Sequence, residues 1–196
     1  MNRKYKIAVL GLGHVGLPTA LGFAQIGWDV IGTDSDLGKL DLISDGVTPF
    51  YEPGLDEMLK TYLKEGKFRV EKNQIKAIQD AECIFVCVGT PQNDDGSADL
   101  SQLEAVAITI AENISSYKLI VEKSTTPVTT AASLKRSIQR HMNTAGLKKP
   151  IDEFDVAVNP EFLKEGTAIS DFVNPDRVVV GVDNERAANI LKEIYF

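Results

Sequence analysis

Short apolar runs alternate with longer amphipathic stretches along the chain. The runs are Ile7–Leu10, Val30–Gly32, Cys83–Val88, Leu119–Val121, Val156–Val158 and Val178–Val182. Several are apolar at nearly every position, as expected of strands covered on both faces. Between them, Val15–Ile26, Leu55–Lys64, Leu100–Ser115, Thr129–Met142 and Glu185–Tyr195 carry apolar residues at helical spacing. The alternation predicts an α/β fold: a doubly wound, mostly parallel sheet with helices on both faces and right-handed crossovers. Helix punctuation agrees, because Asp99 precedes a helical run with Glu104 in its early turns. Pro18 falls near the first turn of the first helix, where a missing N–H costs little. No repeat or low-complexity linker interrupts the pattern, and Asn143–Ile151 reads as a polar surface excursion. Residues 1–196 are therefore expected to form one domain.

Composition adds few constraints. A chain of 196 residues, 43% hydrophobic and 25% charged, can bury a substantial core. Its formal net charge of −7 argues against a nucleic-acid partner held by electrostatics, while a local basic pocket for a phosphorylated ligand is compatible with it. The two cysteines, Cys83 and Cys87, share one apolar run. On a strand they would sit on one face roughly 13 Å apart, too far for a disulfide. They read as small buried apolar residues, a usage that suits a reducing cytosol. The run after Met1–Tyr5 is too short for a secretory signal, and no stretch has the length of a membrane span. A cytoplasmic protein is the expectation.

Chemistry first appears where the run Ile7–Leu10 enters Gly11-Leu12-Gly13-His14-Val15-Gly16. This turn follows a strand, opens a helix and starts a βαβ unit, the context of a dinucleotide-binding Rossmann turn. Gly11 would permit the tight turn and Gly13 the approach of backbone to a pyrophosphate. Gly16 would let the helix pack against the strand. The helix N-terminus, with His14 and Val15, would offer N–H groups and partial positive charge to the phosphates. Asp34 ends the second strand about 20 residues further on, where a carboxylate accepts from the adenosine ribose and repels a 2′-phosphate. NAD is therefore preferred over NADP. Lys39 would either soften that repulsion or be a solvated helix lysine. The run Cys83–Val88 exits into Gly89-Thr90-Pro91 at the carboxyl edge of the sheet, a place for cofactor contact or for a plain turn.

Two further strand exits carry polar clusters, Glu122-Lys123-Ser124-Thr125-Thr126-Pro127 and Asn159-Pro160-Glu161-Phe162-Leu163-Lys164-Glu165-Gly166. Glu161 and Glu165 would share a face if the segment made a helical turn. Two carboxylates there would divide acid and base roles or order a water, or else be exposed acids at a helix start.

With these blocks in view, the sequence resembles the UDP-glucose/GDP-mannose dehydrogenase family over essentially its whole length. The resemblance rests on Gly11–Gly16 with Leu17, Glu52-Pro53-Gly54-Leu55, Phe85–Pro91, Val121–Thr125, Asn159–Gly166 and Asn174-Pro175-Asp176-Arg177-Val178. The last two blocks are most similar to the UDP-glucose 6-dehydrogenase branch. The resemblance implies oxidation of a nucleotide-sugar C6 alcohol to a carboxylate in two hydride transfers to NAD. An aldehyde-level intermediate would be held on a catalytic cysteine. It implies that Val15, Asp34, Lys39, Thr90, Thr125 and Glu165 contact NAD, and that Glu161, Phe162, Leu163, Lys164 and Glu165 meet the UDP-sugar. Glu161 would assist proton transfer or thioester hydrolysis, and Thr125 would position a water.

Thr126 and Thr129 stand where the family has a valine and a glycine. The family's catalytic cysteine and lysine, its central dimerisation helix and its UDP-binding domain correspond to no part of the chain. Cys83 and Cys87 match a strand rather than the nucleophile motif. Phe196 closes a helix without a cap, so the natural chain is expected to continue. The expectation is an NAD-binding domain that holds cofactor without turning over, from a homodimeric or larger enzyme. A stand-alone NAD-binding or regulatory module is the alternative from another class. Fragments of GDP-mannose or UDP-N-acetylhexosamine dehydrogenases are the alternatives within the family. The Asn159–Gly166 and Asn174–Val178 blocks weigh against a 6-phosphogluconate-type enzyme.

Overall fold

The computed structural model describes residues 5–124, 130–144 and 154–196. Among these, seven strands form one sheet: β1 (Lys6–Leu10), β2 (Asp29–Thr33), β3 (Phe68–Val70), β4 (Cys83–Val86), β5 (Lys118–Glu122), β6 (Phe154–Val158) and β7 (Gly181–Val182). The helices are α1 (Gly16–Ile26), α2 (Leu37–Ser44), α3 (Leu55–Lys64), α4 (Gln74–Asp80), α5 (Ser101–Asn113), α6 (Thr130–Thr144), α7 (Ala168–Val173) and α8 (Glu185–Tyr195). The spatial order is β3-β2-β1-β4-β5-β6-β7. β1 to β6 are parallel, and β7 runs antiparallel to β6. The chain winds outward from β1 in one direction and returns to wind outward from β4 in the other. That reversal leaves a crevice beyond the carboxyl ends of β1 and β4.

Alternation along the strands divides the core. Ile7 and Val9 of β1 face a cluster built with Leu17 and Phe23 of α1, Leu40 of α2, Leu59 of α3, Phe172 of α7 and Leu191 of α8. Ala8 and Leu10 face the opposite cluster, with Ile78 of α4, Ile110 of α5 and Ile138 of α6. Both faces of the sheet are thus covered by helices, which is why the strands read as continuous apolar runs.

The observed elements extend and trim the expected ones. α3 and α8 have the predicted bounds, whereas β3, α2, α4 and α7 are additional. β4 stops at Val86, Cys87 N makes a last bond to the Leu10 carbonyl at 2.8 Å, and Val88 lies beyond the strand. Of Val178–Val182 only Gly181 and Val182 pair, while Val179 and Val180 are exposed. Cys83 and Cys87 are free and buried. Most of the Asn143–Ile151 excursion lies outside the described residues. No helix among the described residues is long and apolar enough to cross a membrane.

The last helix is fastened by polar contacts as well as by packing. The Trp28 indole Nε1 donates to the Ile194 carbonyl at 2.9 Å. Asp155 on β6 accepts from Tyr117 Oη at 2.8 Å, Asn184 Nδ2 at 2.7 Å and Arg186 Nε at 2.8 Å. The Arg186 guanidinium also lies 4.1 Å from the centre of the Tyr117 ring.

Candidate functional site

A cleft of about 610 Å³ opens at the crevice between β1 and β4. Gly11, Gly13, His14, Val15, Asp34, Lys39, Gly89 and Thr90 all line it. Gly16 lies beneath, where it sets the packing. Gly11 has φ +91, a conformation that favours glycine, and a Cβ there would come within 2.7 Å of the Cys87 carbonyl oxygen. A Cβ on Gly16 would drive into the Gly11 carbonyl. A Cβ on Gly13 would meet nothing within 4 Å, so this glycine leaves open space above the turn. α1 begins at this space with no side-chain cap on Val15 and no acidic residue in its first turn. A pyrophosphate fits such an N-terminus, where orphan N–H groups carry partial positive charge.

Asp34 stands at the far end of the cleft, where β2 gives way to α2. Its Oδ2 accepts from Leu12 N at 2.7 Å and from Lys39 Nζ at 2.8 Å, and its Oδ1 accepts from Asp36 N at 3.0 Å. Burial opposes ionisation of this carboxyl. The Lys39 ammonium and the two backbone donors outweigh it and hold the group below the ordinary aspartate value. Lys39 is therefore an ion-pair partner of Asp34 rather than a solvated helix lysine. Of the carboxylate's roughly four acceptor positions, three are used, which leaves Oδ1 able to accept from a ribose hydroxyl. The residues present fit a dinucleotide with an unsubstituted adenosine ribose.

The other wall of the cleft escaped sequence reasoning. Gln102, Ala105, Val106 and Thr109 of α5 face it, together with Gln74 at the start of α4 and Ser124 after β5. The first four recur at helical spacing, i, i+3, i+4 and i+7, so one helix face was readable, but nothing in its chemistry marked it as cofactor-facing. Cys87 also lines the cleft, and burial pushes its thiol up to about 12.

The Asn159–Gly166 block lies beyond β6 and borders a separate small recess of about 40 Å³. Asn159, Glu161, Phe162 and Leu163 line it with Lys123 and Arg177. Lys123 is buried and donates to Asn159 Oδ1 at 3.1 Å, an oxygen that also accepts from Tyr195 Oη at 2.5 Å. Burial pulls the Lys123 ammonium below the ordinary lysine value. The expected helical turn from Glu161 to Glu165 is not present. Residues 161–164 are irregular and α7 begins only at Ala168, so these two carboxylates do not share a helix face. Glu161 bends back to accept from Leu163 N at 2.6 Å. The amides here go to side chains instead of a helical ladder, Leu163 N to Glu161 and Lys164 N to Asp171 Oδ2 at 3.0 Å, and Gly166 at φ +89 closes the turn. Glu165 and Lys164 are exposed, and Glu165 borders neither the cleft nor the recess. Thr125, with the loop through Thr129, lies outside the described residues.

The match to known proteins agrees with this geometry. Residues 5–196 match the model of the UDP-glucose/GDP-mannose dehydrogenase family, NAD binding domain. The UDP-glucose 6-dehydrogenase of Rhizobium meliloti is 38% identical over 97% of this chain and 43% of that protein. The solved UDP-glucose dehydrogenase of Pyrobaculum islandicum superposes with a TM-score of 0.90 at 37% identity, covering 97% of this chain and 44% of that one. The GDP-mannose dehydrogenase of Pseudomonas aeruginosa gives 0.89 at 34% identity, covering 96% and 43%. The chain thus spans about two fifths of the length of these relatives. A switch-point cleft ending on Asp34, the uncapped start of α1 and a family match over nearly every residue lead to one assignment: the chain belongs to the UDP-glucose/GDP-mannose dehydrogenase family and is its NAD-binding domain.

Proposed function

We propose that this chain, residues 1–196, is the cofactor half of a cytoplasmic, homo-oligomeric dehydrogenase that oxidises the C6 alcohol of UDP-glucose or a related UDP-sugar to the uronate. The supporting observation is the placement of two candidate sites on one sheet edge: the cleft ending on Asp34, and the Glu161–Glu165 segment beyond β6. NAD bound in the cleft would supply the hydride acceptor. The uncapped start of α1 would hold its pyrophosphate, and Asp34 would take the adenosine ribose and exclude a 2′-phosphate. Val15 and Thr90, which line the cleft, and Thr125 complete the proposed cofactor contacts, whereas Glu165, outside the cleft, is assigned to the sugar-nucleotide segment alone. The sugar nucleotide would lie against Phe162, Leu163 and Lys164. Glu161 would assist proton transfer at the C6 hydroxyl oxygen or hydrolysis of the thioester, with Thr125 ordering a water near the reacting carbon. Glu161 and Arg177 border one recess, so a carboxylate for proton transfer and a cation for an anionic ligand stand near each other.

The chain itself is proposed to bind NAD without completing the reaction. The family's second oxidation runs through a thiol. Cys83 and Cys87 are the chain's two cysteines, and burial pushes both up to about 12, which keeps them as thiols at neutral pH. Calorimetric titration of the purified chain with NAD and NADP tests the cofactor assignment, and tighter binding of NADP would refute the role of Asp34. Incubation with NAD and UDP-glucose, GDP-mannose or UDP-N-acetylhexosamines should yield no uronate. Uronate formed by this chain alone would sink the division of labour.

A further inference from the structure

The Glu52-Pro53-Gly54-Leu55 block has no role in the chemistry above, yet its acid is one of the few buried charged side chains among the described residues. Glu52 belongs to the loop between α2 and α3, and its backbone carbonyl accepts from Leu55 N at 3.1 Å as α3 begins. Its side chain reaches more than a hundred residues along the chain. Oε2 accepts from Gly166 N at 2.7 Å and Oε1 accepts from Ala168 N at 2.9 Å. These amides belong to the turn that follows the Glu161–Glu165 segment. Gly166 has φ +89, so the turn depends on a conformation that other residues rarely adopt. Asp171 holds the same turn from the other side, accepting from Lys164 N at 3.0 Å and Thr167 Oγ1 at 2.9 Å.

Two residues before Glu52 the same loop touches the cofactor turn. The Phe50 ring stacks on His14 with centroids 4.1 Å apart and planes 28° apart. One short loop therefore contacts both the glycine turn and the end of the sugar-nucleotide segment. Both oxygens of one carboxylate are spent on backbone amides without a ladder partner: Gly166 in the irregular turn and Ala168 at the first position of α7, where the N–H has no intrahelical acceptor. Such charge-assisted bonds to a buried acceptor are the strong kind, and an exposed segment without them would sample many conformations.

We propose that Glu52 is a positioning residue: its carboxylate forks the Gly166 and Ala168 amides and so fixes the Glu161–Glu165 segment in the form that receives the sugar nucleotide. The substrate half of this inference rests on the proposed function, whereas the fork itself does not. Glu52→Gln keeps the shape but turns an amide donor toward one of the two N–H groups. Glu52→Asp keeps the charge and withdraws it by one methylene, so that one amide is satisfied at best.

The test has two arms. In the purified chain, hydrogen exchange at Gly166 and Ala168 should accelerate by about tenfold or more in Glu52→Gln and by less in Glu52→Asp, while NAD affinity stays within about twofold of wild type. In the intact encoded protein, KM for UDP-glucose should rise by about tenfold in Glu52→Gln with KM for NAD unchanged and partial recovery in Glu52→Asp. Unchanged exchange at both amides overturns the proposal. So does a parallel loss of NAD and UDP-glucose binding, which would make Glu52 a general support of the fold. Should Glu52→Gln not fold, Glu52→Asp replaces it in both arms, and unchanged exchange or a parallel loss of both ligands overturns the proposal there too. Wild-type protein that fails to oxidise UDP-glucose while exchange responds as expected counts against the proposed function and leaves the fork standing.

Discussion

Gly13 and Gly16 sit three residues apart in one turn and answer to different neighbours. A methyl group on Gly16 collides with the Gly11 carbonyl, whereas one on Gly13 enters open space. Gly16→Ala should therefore destabilise the free protein by about 3 kcal/mol, because backbone must move to admit it. Gly13→Ala should change stability by less than about 0.5 kcal/mol yet weaken NAD at least about tenfold, because the methyl would occupy the proposed approach of the pyrophosphate. Paired denaturation and calorimetry on both variants check this, and equal losses of stability would contradict it. The thiols give a second outcome at this scale. Burial pushes Cys83 and Cys87 up to about 12, so both should resist alkylation at pH 8 in the native protein and react only on unfolding. Mass spectrometry after iodoacetamide treatment reads this directly, and native-state labelling of Cys87 would show the cleft to be more open than described.

Among the elements, long amphipathic helices were legible and short ones were not. α3 and α8 carry strong periodicity over ten or more residues, and their bounds follow from it. α2 and α4 have eight and seven residues, too few for a period to emerge. Their caps were nevertheless present in the sequence: Asp36 accepts from Lys39 N, and Asn73 accepts from Ile75 N and Lys76 N. β3 has three residues, of which only Phe68 is buried, so it too lacked a pattern. The Gly11–Gly16 turn and Asp34 were readable because their chemistry depends on local spacing. The α5 wall and the Glu52 fork were not, because they arise from contacts across the fold. The Asp155 cluster is of the same kind and joins β6, α8 and the start of β5. Burial raises the Asp155 carboxyl, but its bonds from Arg186, Tyr117 and Asn184 prevail and hold it below the ordinary value. A carboxyl depressed on folding adds stability above its unfolded value, and that stability is lost as pH falls through the folded one. Asp155→Asn should flatten the acid limb of the stability curve below about pH 4. Asp155→Ala should cost about 2–3 kcal/mol at neutral pH, since it strands buried donors. Urea melts across a pH series measure both, and an unchanged acid limb in Asp155→Asn would assign the pH dependence to other carboxylates.

For the whole molecule, the cofactor cleft lies where the two halves of the sheet meet, so ligand binding is linked to the stability of the entire fold. The cleft draws residues from the loops that follow β1, β2, β4 and β5 and from α2, α4 and α5. NAD at about one hundred times its Kd should stabilise the native state by about 2.7 kcal/mol, and for a domain of this size the midpoint should rise by about 5–11 °C. NADP at the same concentration should raise it less if the Asp34 carboxylate, at the end of the cleft, meets the ribose as proposed. Differential scanning fluorimetry with both cofactors makes the comparison, and equal shifts would argue against discrimination at that position.

The reversal of strand order at β1 has a consequence during synthesis. β1 pairs with β2 on one side and with β4 on the other. Its first partner follows within the next few dozen residues, but Cys83–Val86 emerges about 70 residues later, a delay of roughly 4–15 s at ordinary elongation rates. Through that interval Ile7–Leu10 presents an unpaired edge of buried-type residues to its surroundings. A growing chain of this design therefore has its stickiest surface at the strand that will later carry the cofactor turn, and chaperone capture at the ribosome should peak before β4 is released.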